Sequence, residues 1–169
     1  IEFNQGENMR ATEKHVSRVD SVTDVLSGKL SDILDQKSKG VIQVDSDCIV
    51  AVAARKMRDD KVGGLMVVEN DTLVGIFTER DLMSRVVADG LDPEKIQVSE
   101  VMTSSIATVP PETSVSVAAN LMSQNRIRHL PVLQDGKLYG VISAGDILAW
   151  KLREQEFTLH QLEDYFFKS

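Results

Sequence analysis

Two short strings in this chain carry groups that could do chemistry: Gly75-Ile76-Phe77-Thr78-Glu79-Arg80-Asp81 and Gly140-Val141-Ile142-Ser143-Ala144-Gly145-Asp146. Both have the form glycine, two apolar residues, a hydroxyl, two variable residues, aspartate. A hydroxyl three residues ahead of an acid is a capping box, in which the hydroxyl accepts a backbone N–H and the acid reaches back to another. The same geometry can hold a ligand. A helix N-terminus offers unpaired N–H groups and positive potential to a phosphate, an aspartate can accept from both vicinal hydroxyls of a ribose, and a preceding glycine lets a ligand come close to backbone. Cap and nucleoside-phosphate site both stay open, because duplication copies one as readily as the other.

Other chemistry has weaker footing. Ser143, His129 and Asp146 contain the residue types of a catalytic triad, but Ser and Asp three apart on one helical turn leave no route for a histidine to bridge them. Cys48 falls at a helix start where a thiolate could be stabilised, yet Asp45 and Asp47 oppose ionisation, so a structural role is expected. His15, His129 and His160 are scattered without metal-ligand spacing. No glycine-rich phosphate loop ending in Lys and Ser or Thr is present. No enzyme, catalytic residue or metal site is expected, and turnover is the last-ranked reading.

The elements that must position the two strings are themselves repeated. A shift of 65 aligns residues 44–87 with 109–152 without a gap, with 11 identities in 44 positions, nearly all apolar or glycine. The pairs include Val50 with Val115, Met57 with Met122, Leu65 with Leu130, Gly75 with Gly140 and Asp81 with Asp146. Upstream, Leu30-Ser31-Asp32-Ile33-Leu34 matches Val98-Ser99-Glu100-Val101-Met102 at a shift of 68, so the first copy holds three extra residues, placed near 37–40. Each copy reads as short strand, helix, hairpin, helix. In the first, Val41 to Val44 is the strand and Asp45-Ser46-Asp47 supplies helix-start chemistry. Ile49, Val50, Ala53, Ala54 and Met57 fall at helical spacing. Asn70-Asp71 and Asp135-Gly136 are two-residue hairpin turns. The fold class is α+β, with helices laid on one face of each small sheet.

The ends differ from the repeats. Ile1 to Asn8 are polar, patternless and lack an initiator Met, with Met9 a candidate native start, so they are left out of the fold reading. Val16, Val19, Val22, Val25 and Leu26, closed by Gly28, read as an amphipathic helix. Leu148, Leu152, Gln155, Leu159, Leu162 and Phe166 form a heptad stripe. That helix either covers the core of its own domain or pairs across a dimer. The expected division is 1–29, tail and helix; 30–92, first unit; 93–152, second unit; 153–169, helical extension.

The chain has 169 residues and 18.7 kDa, with a net charge of -7 from 19 basic and 26 acidic residues. That balance argues against duplex nucleic acid as a partner. No apolar run approaches the roughly 20 residues that a bilayer requires. With one cysteine and no secretion signal, a cytoplasmic or other reducing compartment is the expectation.

The doubled unit, the two hydroxyl–acid strings, Asn125-Arg126-Ile127-Arg128-His129-Leu130-Pro131-Val132 and Ser99-Glu100-Val101-Met102-Thr103 together resemble a tandem pair of cystathionine-β-synthase (CBS) domains, a Bateman module. The resemblance spans about 30–152. It implies two β-α-β-β-α units packed through their sheets about a pseudo-twofold axis, with two clefts for adenosine ligands: AMP first, NAD(H) next, then ADP, ATP or S-adenosylmethionine. It further implies a homodimer. By motif, Thr78 with Asp81, and Ser143 with Asp146, would hold ribose. Arg128 and His129 would meet phosphates at the Asp81 cleft, with Pro131 of the same string in that site, and Arg80 would meet them at the Asp146 cleft. Adenine would lie near Ile42 in the Asp146 cleft and near Ala107 in the Asp81 cleft.

Gly63-Gly64 stands where the second copy has Arg128-His129, and Arg80 where it has Gly145, so the two clefts should differ in charge. His129, beside Leu130-Pro131, is equally a hydrogen-bonded strand histidine. The leading expectation is a nucleotide-sensing regulatory module with a possible regulated protein partner. The alternative is a ligand-free interaction scaffold acting through its terminal helices.

Overall fold

The computed structural model describes residues 28–37 and 40–167, with only the backbone at 158, 159 and 161–167. The helix expected over 16–26 lies outside these residues. The first unit contains α1 (Leu30–Asp35), β1 (Gln43–Asp45), α2 (Val50–Asp60), β2 (Gly64–Glu69), β3 (Thr72–Thr78) and α3 (Glu79–Asp81), which runs on as a π-helical turn, Leu82–Val87. The second contains α4 (Val98–Val101), α5 (Val115–Asn125), β4 (His129–Gln134), β5 (Lys137–Ser143) and α6 (Ala144–Phe167). β1 pairs parallel with β2, and β2 antiparallel with β3. In the second unit β4 pairs with β5, and the counterpart of β1 is a single parallel bridge between Val109 and Val132. β3 and β5 meet at the seam between the units.

Both hairpins close as the turn residues dictate. Asn70 and Asp71 have φ of 49° and 61°, and Asp135 and Gly136 have 51° and 75°, the paired left-handed residues whose twist matches that of the flanking strands. A register shift follows Val67 in one hairpin and Val132 in the other, equivalent positions in the repeat.

The helix start expected at Asp45-Ser46-Asp47 is displaced. Asp45 ends β1, and α2 begins at Val50 after Ile49, with no side-chain cap. The orphan N–H groups find carbonyls instead: Val50 donates to Ile96 at 3.0 Å and Ala51 to Pro93 at 2.9 Å. Both acceptors belong to the segment entering the second unit.

That pairing is one side of a reciprocal exchange. Leu30 N–H donates to Thr113 O at 3.0 Å and Ser31 to Pro111 O at 2.9 Å, while Val98 donates to Cys48 O at 2.8 Å and Ser99 to Ser46 O at 2.9 Å. These are equivalent bonds under the repeat, and each crosses from one copy to the other. The cores follow the bonds. Val98 and Val101 are buried with Val44, Val50, Met57, Leu65 and Phe77 of the first unit. Leu30 and Ile33 are buried with Val115, Met122, Leu130 and Ile142 of the second. Each short entry helix completes the core of the copy it does not precede in sequence.

Gly75 and Gly140 serve this exchange. A Cβ on Gly75 would lie 2.6 Å from Met102 Sδ and 2.9 Å from Thr103 O, and one on Gly140 would lie 2.7 Å from the methyls of Leu34. The room expected to admit a ligand is filled by the crossed entry segments.

α6 covers the second core with Ile147 and Trp150. The heptad stripe is not what covers it: Leu148, Leu152 and Gln155 are exposed, and the side chains of Leu159, Leu162 and Phe166 lie outside those described.

Candidate functional site

Two cavities flank the seam, one of about 490 Å³ beside Ser143 and one of about 530 Å³ beside Thr78 and Asp81. Each lies where a hairpin strand runs into a helix, and at each junction the hydroxyl–acid pair is a genuine cap. Thr78 N–H and Oγ donate to Asp81 Oδ2 at 2.9 and 2.6 Å, and Asp81 N–H returns to Thr78 Oγ at 3.3 Å. Ser143 N–H and Oγ donate to Asp146 Oδ2, both at 2.7 Å, and Asp146 N–H returns at 3.1 Å. The capping reading of both strings is present together with a cavity beside each.

The two carboxylates differ in what remains free. Asp81 is 5% exposed, and its second oxygen accepts from Thr103 Oγ at 2.9 Å and faces Arg85 Nη1 at 3.4 Å. Arg85 is itself bound to the carbonyls of Val101 and Met102, so Asp81, Arg85 and Thr103 together fasten the crossed segment. With both oxygens engaged and little exposure, Asp81 has no spare acceptor for a sugar. At Asp146, both bonds donated by Ser143 and the Lys37 ammonium at 2.8 Å converge on Oδ2. Burial would raise the Asp146 pKa, but the hydrogen bonds from Lys37 and Ser143 outweigh it and hold the carboxyl below its usual range.

Ile42 lines the Asp146-side cavity, and Ala107, Arg128 and Pro131 line the Asp81-side cavity. His129 lines both, leaning on Gly63-Gly64, where a Cβ at Gly64 would come 3.4 Å from its Nδ1. The Gly-Gly pair at the repeat-equivalent position leaves room for this one imidazole. Burial lowers the His129 pKa; Glu79 and Asp146 pull it up, and Lys37 and Arg128 add to the lowering. Arg80 is a correction. It lines the Asp81-side cavity, not the Asp146 side, because its guanidinium turns across the seam to Arg126 O at 3.2 Å.

Sequence reasoning missed Lys37, Thr103, Arg85 and Arg126. The three-residue interruption of the repeat was the signal for Lys37. Cys48 behaves as its neighbours require, its thiol pushed up by burial and then by Asp47 and Asp45. Among the described residues no helix is long and apolar enough to cross a membrane.

A duplicated α+β unit, exchanged entry helices and paired seam cavities define a tandem module of two small domains. The chain belongs to the CBS domain family, whose model matches residues 30–88 and 98–153. It is 34% identical over 148 residues to the CBS domain-containing protein CBSX3, mitochondrial, of Arabidopsis thaliana, covering 82% of this chain and 72% of that one. It is 34% identical over 118 residues to CBS domain-containing protein YhcV of Bacillus subtilis, covering 70% and 84%. A Burkholderia ambifaria structure, named as a candidate signal-transduction protein with CBS domains, superposes with a TM-score of 0.73 at 34% identity, covering 76% of this chain and 96% of that one.

Proposed function

We propose that this chain is a regulatory module that binds an adenine nucleotide at the seam between its two CBS units and signals occupancy by shifting their packing. The supporting observation is the pair of seam cavities, each with an apolar short-strand wall and a hydroxyl–acid cap at its rim. A ligand can move the packing equilibrium only by its differential affinity for the two arrangements. The sugar is read at Asp146, where Oδ1 is left to accept, and AMP or NAD(H) is the first ligand to test. Isothermal titration with AMP, ATP, NAD(H) and S-adenosylmethionine tests this: binding of at least one below millimolar, weakened tenfold or more in Asp146→Asn, is expected. Failure of all four ends the reading.

The module acts as a homodimer in this proposal. Met83 and Val87 are 65% and 62% exposed, and their repeat equivalents Leu148 and Leu152 are 61% and 52% exposed. Each pair lies four residues apart on one helix face, so the two units present matching apolar edges.

A further inference from the structure

An open groove of about 410 Å³ runs between the end of α5 and the start of α6, on the outer side of the seam cavities, with Arg80, Arg126 and Arg128 around it. Arg126 lines this groove and neither cavity. It ends α5 in the left-handed conformation, with φ of 52°, and its carbonyl accepts from Arg80 Nη1 at 3.2 Å. That bond brings a guanidinium of the first unit across to those of the second. All three arginines are exposed, and among the described residues none of them sits in an ion pair. The floor between them is aliphatic: Ala119, Met122, Ile127 and Ile147.

The repeat shows the same stretch with its charge balanced. The first copy reads Arg58-Asp59-Asp60-Lys61-Val62-Gly63 where the second reads Ser123-Gln124-Asn125-Arg126-Ile127-Arg128. In the first, Arg58 pairs with Asp59 at 2.8 Å and Lys56 with Asp60 at 3.3 Å, and Glu79 stands at the position of the groove residue Ala144. In the second, each of those three acids is an amide or an alanine. Like charges gathered this way repel one another, and in a chain of net charge -7 a cluster without acids is not a by-product of a basic surface. Carboxylates are a matching counter-charge, because guanidinium forks meet them in paired hydrogen bonds. The floor selects among polyanions. It offers no ring on which a base could stack, and the net negative charge repels a long nucleic acid. A short peptide can give carboxylates to the rim and an apolar side chain to the floor, the usual division of a protein interface.

We infer that this groove is a docking site for an acidic segment of a partner protein, with Arg80, Arg126 and Arg128 meeting its carboxylates and an apolar side chain of the segment set on the Met122–Ile147 floor. The inference does not depend on what the seam cavities bind. Fluorescence anisotropy with the labelled peptide Glu-Glu-Leu-Glu-Glu-Leu-Glu-Glu, its Gln-for-Glu counterpart and a labelled oligothymidylate tests it on the full chain. Wild type binds the Glu peptide at least roughly tenfold more tightly than the Gln peptide, the scale of one charge-assisted contact. Arg126→Gln removes most of that preference. The double variant Gln124→Asp with Asn125→Asp keeps all three guanidinium groups, gives the groove the acids of the first copy, and weakens the Glu peptide likewise. Lys61→Gln, the repeat-equivalent change, leaves binding as in wild type. Equal affinity for the two peptides, no binding of either, or the same loss in Lys61→Gln as in Arg126→Gln overturns the inference. Oligothymidylate binding that depends on Arg126, without binding of the Glu peptide, also overturns it and assigns the groove to single-stranded nucleic acid.

Discussion

The Lys37 ammonium lies 2.8 Å from Asp146 Oδ2 and 3.0 Å from Val141 O, and so serves two acceptors that in the other unit are served by one residue, Thr103. There the Thr103 hydroxyl donates to Asp81 and its backbone N–H donates to Ile76 O at 2.9 Å. Asp81 and Ile76 are the repeat equivalents of Asp146 and Val141. In the first copy, which holds three extra residues near this point, one long side chain does both jobs. One unit is tied by a half-buried hydroxyl and backbone, the other by a lysine ammonium.

The two ties differ in worth. Lys37 and Asp146 are partly exposed, so Lys37→Met should cost about 0–1 kcal/mol, the usual range of such ion pairs. Thr103→Val leaves a buried Asp81 oxygen short of a donor and should cost about 1–3 kcal/mol. Urea unfolding of both variants measures the difference; equal losses contradict the assignment.

Gly75→Ala sets a new methyl against Thr103 O, which is backbone and cannot swing away, so a loss of about 1–3 kcal/mol is expected. Gly140→Ala meets only Leu34 methyls, and the double variant Gly140→Ala with Leu34→Ala should recover part of its loss. Thermal denaturation of the three proteins decides it. Full activity of Gly75→Ala in nucleotide binding at unchanged stability would show that this glycine makes no room for the crossed segment.

Much of this fold was legible because apolar periodicity and turn chemistry act locally. Asn70-Asp71, Asp135-Gly136 and the Val50 to Met57 face were readable from spacing alone. The exchange of entry helices was not. Val98 and Leu30 are apolar in either arrangement, and nothing in their type says which core receives them. For the same reason the motif glycines read as ligand room when they make space for Met102 and Leu34. At the site, Ile42, Ala107, Arg128 and Pro131 were placed through the resemblance, and Arg80 was misplaced because its long side chain crosses the seam to Arg126.

His129 gives a pH signature. Its folded pKa lies below the usual 6.5 chiefly through burial, so the unfolded chain takes up a proton first as pH falls. Stability is fully present above the unfolded value and lost as pH falls below it. The charges around the ring, Glu79, Asp146, Lys37 and Arg128, do not reverse that sign. The melting temperature should drop between about pH 7 and pH 5, and His129→Gln should flatten that drop. An unchanged slope in the variant assigns the effect elsewhere.

Charge placed on the apolar helix edges should split the proposed dimer. Met83→Asp with Leu148→Asp is expected to sediment as a monomer while the circular dichroism stays unchanged, since both side chains are exposed in the single chain. Truncation after Leu152 separates this edge from the rest of α6: a dimer that survives truncation but not the double substitution uses the edge, and the reverse result assigns assembly to the extension.

The crossing of α1 and α4 makes the two halves inseparable. A fragment ending near residue 92 lacks Val98 and Val101, and one starting there lacks Leu30 and Ile33, so each would expose an unfilled groove in its own interior. Produced apart, the halves should be unfolded or sticky; mixed, they should rebuild the whole by trading helices. The linker can therefore be nicked but not dispensed with as a simple tether between autonomous modules, and any signal felt by one unit is felt in the hydrophobic interior of the other.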